Sequence, residues 1–238
     1  MNRKIIFLTV ALAVAIFIVW FLIQKNSIIQ KNTINLSSAD ISYVSIGDSY
    51  TIGLGVLEKD RWPNVLTAHL QKEGIDIALI ANPAVSGYTV RDAIEQELPL
   101  LKRLRSDLVT VLIGANDNFA QAETAKYHQD LIELLDNLEP LLTNPKNIVL
   151  ITIPDYTKSP AVAGYNKENI EKSIKEYNEV IKKEAVVRGL KVADIFSISQ
   201  TMTETSDYTQ DGLHLSALGY AKWEKVIFRV VLDLLQKN

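Results

Sequence analysis

The chain contains no cysteine. That excludes disulfides, thiolate metal sites, a cysteine nucleophile and the lipid-bearing cysteine of a bacterial lipoprotein. Histidine is scarce: His69, His128 and His214 are the whole set. A multi-histidine metal centre is therefore not expected. Positive charge is not in excess either. With 25 Lys and Arg against 28 Asp and Glu the formal net charge is −3, so there is no basic footprint for nucleic acid. No internal repeat or low-complexity block is present. No Gly-x-Gly-x-x-Gly follows the first expected strand, which speaks against a flavin or nucleotide binder.

What is present suffices for one domain and an appendage. Of 238 residues, 47% are apolar, enough for the core of an ordinary globular domain. The appendage is N-terminal. Residues 5–23 carry no charge and Thr9 is their single hydroxyl; as a helix the run spans roughly 28 Å, close to the hydrocarbon thickness of a bilayer. Arg3 and Lys4 precede it, and Trp20 lies near its far end, where an indole suits the interface. We expect residues 1–23 to be a single-pass transmembrane helix that anchors the chain, with the folded domain outside the cytoplasm. The alternative is a cleaved signal segment and a secreted protein, although no small-x-small site follows the run. Residues 24–39 are polar and read as a linker. The folded domain occupies 40–238.

From residue 40 short apolar runs alternate with amphipathic stretches. Strands are expected at 41–46, 75–81, 108–113, 148–153 and 190–195. Helices are expected at 62–73, 89–105 with a break near Pro99, 123–142, 166–188 and 216–236. This alternation predicts an α/β fold, a parallel five-stranded sheet covered by helices on both faces. The strands are continuous apolar runs, as two covered faces require. Long connections at 154–165 and 197–210 are candidates for shaping a site.

Ligands of open parallel sheets sit beyond the carboxyl ends of the strands. Four segments leave that edge: Gly47-Asp48-Ser49-Tyr50-Thr51, Asn82-Pro83-Ala84-Val85-Ser86-Gly87, Gly114-Ala115-Asn116-Asp117 and Asp211-Gly212-Leu213-His214. A serine hydroxyl attacks only when a base takes its proton. His214 is the histidine on this edge, and Asp211, three residues earlier, suits the orienting acid. The backbone N–H groups of Ser49 and Gly87 and the Asn116 amide are candidate donors to an oxyanion, with Gly87 allowing close backbone approach. Each residue also has a plainer reading. Ser49 suits a helix N-cap, Gly87 a turn, and Asn116 a loop tie. Asp48 suits a turn and Asp117 a structural hydrogen bond. His69 and His128 lie on expected helices as structural residues. Tyr88, Phe119 and Tyr156 follow strand ends and are candidates for lining a pocket.

In their order and intervals, these blocks resemble the SGNH/GDSL hydrolase family, and the surroundings Arg61-Trp62-Pro63 and Ile153-Pro154-Asp155-Tyr156 resemble its lysophospholipase-like esterase branch. The resemblance covers residue 40 to the C-terminus. It implies a three-layer flavodoxin-like fold, a Ser49–His214–Asp211 triad, an oxyanion hole from Ser49, Gly87 and Asn116, and no metal or cofactor. Tyr50 replaces the leucine of the family name, and Leu215 stands where many members have proline. Thr51 occupies the place of the second glycine of an α/β-hydrolase nucleophile elbow, which argues against that fold. The expected function is a serine esterase that hydrolyses small or lipid-like carboxylic esters through an acyl-enzyme. The alternatives are an O-acetylesterase on cell-envelope carbohydrate and a non-catalytic binding module on the same fold.

Overall fold

Five runs rich in Val, Ile and Leu form the sheet of this computed structural model, which describes residues 39–237. They are β1 (Ile41–Gly47), β2 (Ile77–Ala81), β3 (Leu108–Leu112), β4 (Ile148–Ile151) and β5 (Lys191–Ala193). All pairings are parallel, in the order β2-β1-β3-β4-β5. Every residue of β3 and β4 is buried, so both faces of the sheet are covered. The covering helices pack in two groups. One pairs α2 (Trp62–Lys72) with α9 (Ala217–Gln236), and the other pairs α6 (Thr124–Leu138) with α7 (Lys167–Arg188).

The strand order sets the site. From β1 the chain moves outward to β2, then crosses back to β3 on the other side of β1. The connections leaving β1 and β3 therefore diverge, and a crevice opens at their carboxyl ends. Register places Gly47 beside Leu112, so the turns after these two strands begin level with each other.

Several element ends differ from the expected ones, each for a local reason. β2 starts at Ile77 because Gly74, at φ 83°, closes α2 and the Ile75 N–H bonds back to the Leu70 carbonyl. β5 is three residues long because the Asp194 side chain accepts from the Ser197 N–H and opens α8 (Ile195–Ser199). The expected helix at 123–142 ends as α6 at Leu138; Pro140 then lies in a 3₁₀ turn, Glu139–Leu141. The helix expected at 89–105 has three parts: α3 (Val90–Asp92), a π-turn (Ala93–Glu97) and α4 (Leu98–Leu101). Two further short helices follow β1 and β3: α1 (Ser49–Ile52) and α5 (Ala115–Phe119).

The expected transmembrane helix and nearly all of the linker lie outside the described residues. Among the described residues, no helix is long and apolar enough to cross a membrane.

Candidate active site

At the end of β1 the chain turns directly into α1, and Asp48 caps that helix. Its Oδ1 accepts from the Tyr50 N–H at 2.9 Å. The plainer reading of Ser49 thus gives way to its neighbour: Asp48 is the N-cap, and Ser49 is the first helical residue. Ser49 lines a cavity of about 230 Å³, together with Asp48, Gly87, Asn116 and His214. Residues that lie 165 positions apart in the chain, Ser49 and His214, therefore share one wall of solvent-accessible space.

His214 is held on two sides. Its Nδ1–H donates to Asp211 Oδ2 at 2.6 Å, and the Tyr50 ring lies against it with centroids 5.7 Å apart. Trp223 backs Tyr50 in turn, edge to face at 5.3 Å. With Nδ1 engaged by a carboxylate, Nε2 is the nitrogen available to accept a proton. Asp211 is itself pinned. Its Oδ1 accepts from the N–H groups of Leu213 (2.8 Å) and His214 (2.9 Å) and from the Thr209 hydroxyl (2.8 Å). Partial burial pushes its carboxyl up, but the hydrogen bonds from His214, Leu213 and Thr209 outweigh that and hold it well below the usual carboxylate range.

Gly87 has φ 89°, and a Cβ built there would meet nothing within 4 Å. The glycine is required by its left-handed backbone rather than by crowding. Gly114 is different. At φ 120° it starts α5, and a Cβ would lie 2.6 Å from Tyr127 and 2.9 Å from Ile153. Asn116 follows on α5. Its Nδ2 donates to the Tyr88 carbonyl at 2.8 Å and to Asp48 Oδ2 at 3.2 Å. One amide thus ties together the loops that leave β1, β2 and β3. Both amide hydrogens are engaged, so an oxyanion must compete with Asp48 for the weaker of the two bonds.

The buried carboxyls near the β1–α1 turn differ from Asp211. Burial raises Asp48 to about 7, with the Asp117 charge adding to the rise. Burial likewise raises Asp117 to about 6, although Asp117 Oδ2 accepts from the Val90 N–H at 3.1 Å. That bond anchors the start of α3.

Of the aromatic candidates, Phe119 and Tyr156 line the cavity, with Tyr50, Ala115 and Leu213. The Tyr156 hydroxyl donates to Asn118 Oδ1 at 2.7 Å, so its polar tip is satisfied elsewhere. Tyr88 contributes its carbonyl to Asn116 and does not line the cavity. From the long 154–165 connection Tyr156 alone reaches the cavity lining; Ala161 N–H instead bonds to the Gly212 carbonyl at 3.1 Å, bracing the loop that carries His214. His69 and His128 pair with helix carboxylates, Glu224 at 2.9 Å and Glu184 at 2.7 Å, and neither lines the cavity. Sequence reasoning missed Tyr50 and Leu213 as wall residues, although both stand beside residues it selected.

Comparisons with known proteins bear on the family and the fold. The model of the GDSL-like Lipase/Acylhydrolase family matches residues 45–222. The human isoamyl acetate-hydrolyzing esterase 1 homolog is 29% identical over 176 residues, covering 67% of this chain and 69% of that protein. The psychrotrophic esterase EstA from Pseudoalteromonas sp. superimposes with a TM-score of 0.66 at 18% identity, over 83% of this chain and all of that one. The acetylxylan esterase Axe2 from Geobacillus stearothermophilus does so at 0.65 and 20% identity, over 81% of this chain and 94% of that one. At those identities the two structures establish the fold alone.

Proposed function

This chain belongs to the GDSL-like lipase/acylhydrolase family of ester-cleaving enzymes, and on that premise we propose that it works through an acyl-enzyme on Ser49, with His214 as base and Asp211 as the orienting acid. The observation that carries this is the shared cavity of Ser49, Gly87, Asn116 and His214, with Asp211 bonded to the far nitrogen of the imidazole. His214 Nε2 takes the hydroxyl proton as Ser49 Oγ attacks the carbonyl carbon. The carbonyl oxygen becomes an oxyanion, received by the N–H groups of Ser49 and Gly87 and by the Asn116 amide, which turns one hydrogen away from Asp48. The imidazolium gives its proton to the leaving alkoxide. Water, deprotonated by the same nitrogen, then releases the acid and restores Ser49.

The cavity walls favour a small or lipid-like ester. Tyr50, Ala115, Phe119, Tyr156 and Leu213 offer apolar surface, and the volume of about 230 Å³ suits a short acyl group. The apolar run at 5–23 supports a membrane tether with the domain outside the cytoplasm; retention of the full chain in washed membranes tests it, and release into the soluble fraction would count against it.

Ser49→Ala in the full chain should lower kcat on a short p-nitrophenyl ester by about a thousandfold or more, with the fold intact. Undiminished turnover would end the proposal. A fluorophosphonate probe should label Ser49; a chain that binds esters without labelling would be a binding module. An ester panel spanning acyl length, with an acetylated sugar and a lysophospholipid, separates the lipid-like reading from O-acetylesterase action.

A further inference from the structure

Glu97 ends the π-turn and is fully buried. A carboxyl in that position is costly unless something uses it, since an apolar side chain would fill the space without desolvation. The charge acting on it is the like-signed Asp48, and burial together with that neighbour pushes Glu97 up to about 8. Its Oε2 accepts from the Gly47 N–H at 3.2 Å. Its Oε1 is buried without a protein partner, as is the Thr51 hydroxyl. Gly47 itself is tightly enclosed: a Cβ built there would lie 2.2 Å from Thr51 Oγ1 and 2.5 Å from the Leu112 carbonyl. Gly47 is the last residue of β1, two before Ser49. The backbone that delivers Glu97 is unusual as well. π-turns are rare and concentrate at functional sites, and this one precedes Pro99, which supplies no N–H to the helix.

We propose that Glu97 is a positioning residue for the nucleophile: by holding the Gly47 N–H it fixes where β1 ends, and so where the Ser49 hydroxyl and N–H stand relative to Asn116 and His214. The inference rests on the reading of Ser49 as nucleophile. As an uncharged acid Glu97 keeps an acceptor for the Gly47 N–H without adding a second negative charge near Asp48. An ionised Glu97 would set a second negative charge against Asp48.

The test uses the full chain with Glu97→Gln, Glu97→Met and Glu97→Asp. Glutamine keeps an acceptor and a donor without charge; methionine keeps volume and removes both; aspartate withdraws the carboxyl by one methylene. Glu97→Met should lower kcat on a short p-nitrophenyl ester, and the rate of fluorophosphonate labelling of Ser49, by about tenfold or more, with KM within about twofold. Glu97→Gln should restore most of both rates. Wild-type kcat in Glu97→Met overturns the proposal, and so does a loss carried by KM or a glutamine variant as impaired as methionine. If Glu97→Met does not fold, Glu97→Asp is read the same way: a fallen kcat supports the proposal and an unchanged one overturns it. An inactive Ser49→Ala beside a fully active Glu97→Met would remove this inference alone; an active Ser49→Ala would remove the reading beneath it.

Discussion

Carboxyl groups flank Ser49 on two sides, and the two sides treat them in opposite ways. Asp211 sits on a half-exposed loop, receives a hydrogen bond from His214 and three more from Leu213, His214 and Thr209, and is held low. Asp48, Glu97 and Asp117, on the other side, are buried and are all pushed up. In the proposed mechanism the acid that stays negative beside an imidazolium lies where donors and water sustain its charge. The acids that hold geometry lie where a negative charge is disfavoured. The second condition matters for the chemistry, because the oxyanion would form next to Asn116, and Asn116 is bonded to Asp48. A full negative charge on Asp48 would oppose that oxyanion; a neutral carboxyl does not.

The comparison makes charge removal an asymmetric experiment. Asp211→Asn keeps an acceptor for the loop N–H groups but can no longer stabilise an imidazolium or fix its tautomer. It should cost about 10²–10⁴ in kcat/KM. Glu97→Gln replaces a carboxyl whose charge burial already disfavours, and should cost little. Equal losses from the two variants, measured on one ester, would break the distinction between the two sides.

Much of this was legible beforehand because it follows from chain order and residue type. Continuous apolar strands separated by helices dictated a parallel sheet, and a parallel sheet gathers its strand ends on one edge. Ser49, Gly87, Asn116 and His214 were found by asking what leaves that edge. Glu97 was not, because it reads in sequence as a polar position of an amphipathic helix. At i+4 from Ala93 and i+7 from Val90 it falls on the buried face, but a carboxyl there gives no sign in sequence that it is enclosed. The capping role of Asp48 was hidden for a related reason: Asp48 and Ser49 are both good N-caps, and sequence does not say which of two neighbours begins the helix. The wall residues escaped because Tyr50 and Leu213 look like ordinary core side chains.

Asn116 lies between the two regions and sharpens the contrast further. Asn116→Ala removes the proposed oxyanion donor and also orphans the Tyr88 carbonyl and Asp48 Oδ2. Loss of an oxyanion donor lowers kcat by about 10²-fold. If the amide serves only to tie the loops, the variant melts earlier but each folded molecule turns over at the wild-type rate. Thermal unfolding and active-site titration on the same preparation separate these outcomes.

The smallest effect expected is in stability against pH, and its sign differs between the two sides. Glu97 is raised by folding, so its contribution is fully present below its unfolded value near 4.5 and is lost as pH climbs through about 8. Asp211 is lowered by folding, so its contribution is present above its unfolded value and disappears in acid. The wild-type Tm should therefore decline between about pH 5 and pH 9, in part through Glu97. Glu97→Gln cannot ionise, and its curve over that range should be flatter, by about 2–4 °C for each kcal/mol of penalty removed. Asp211→Asn should leave the alkaline limb unchanged and flatten the acid one. Wild-type and Glu97→Gln curves that run parallel from neutral to alkaline pH would mean that Glu97 titrates alike in the folded and unfolded chain, and the contrast between the two sides of Ser49 would lose its electrostatic basis.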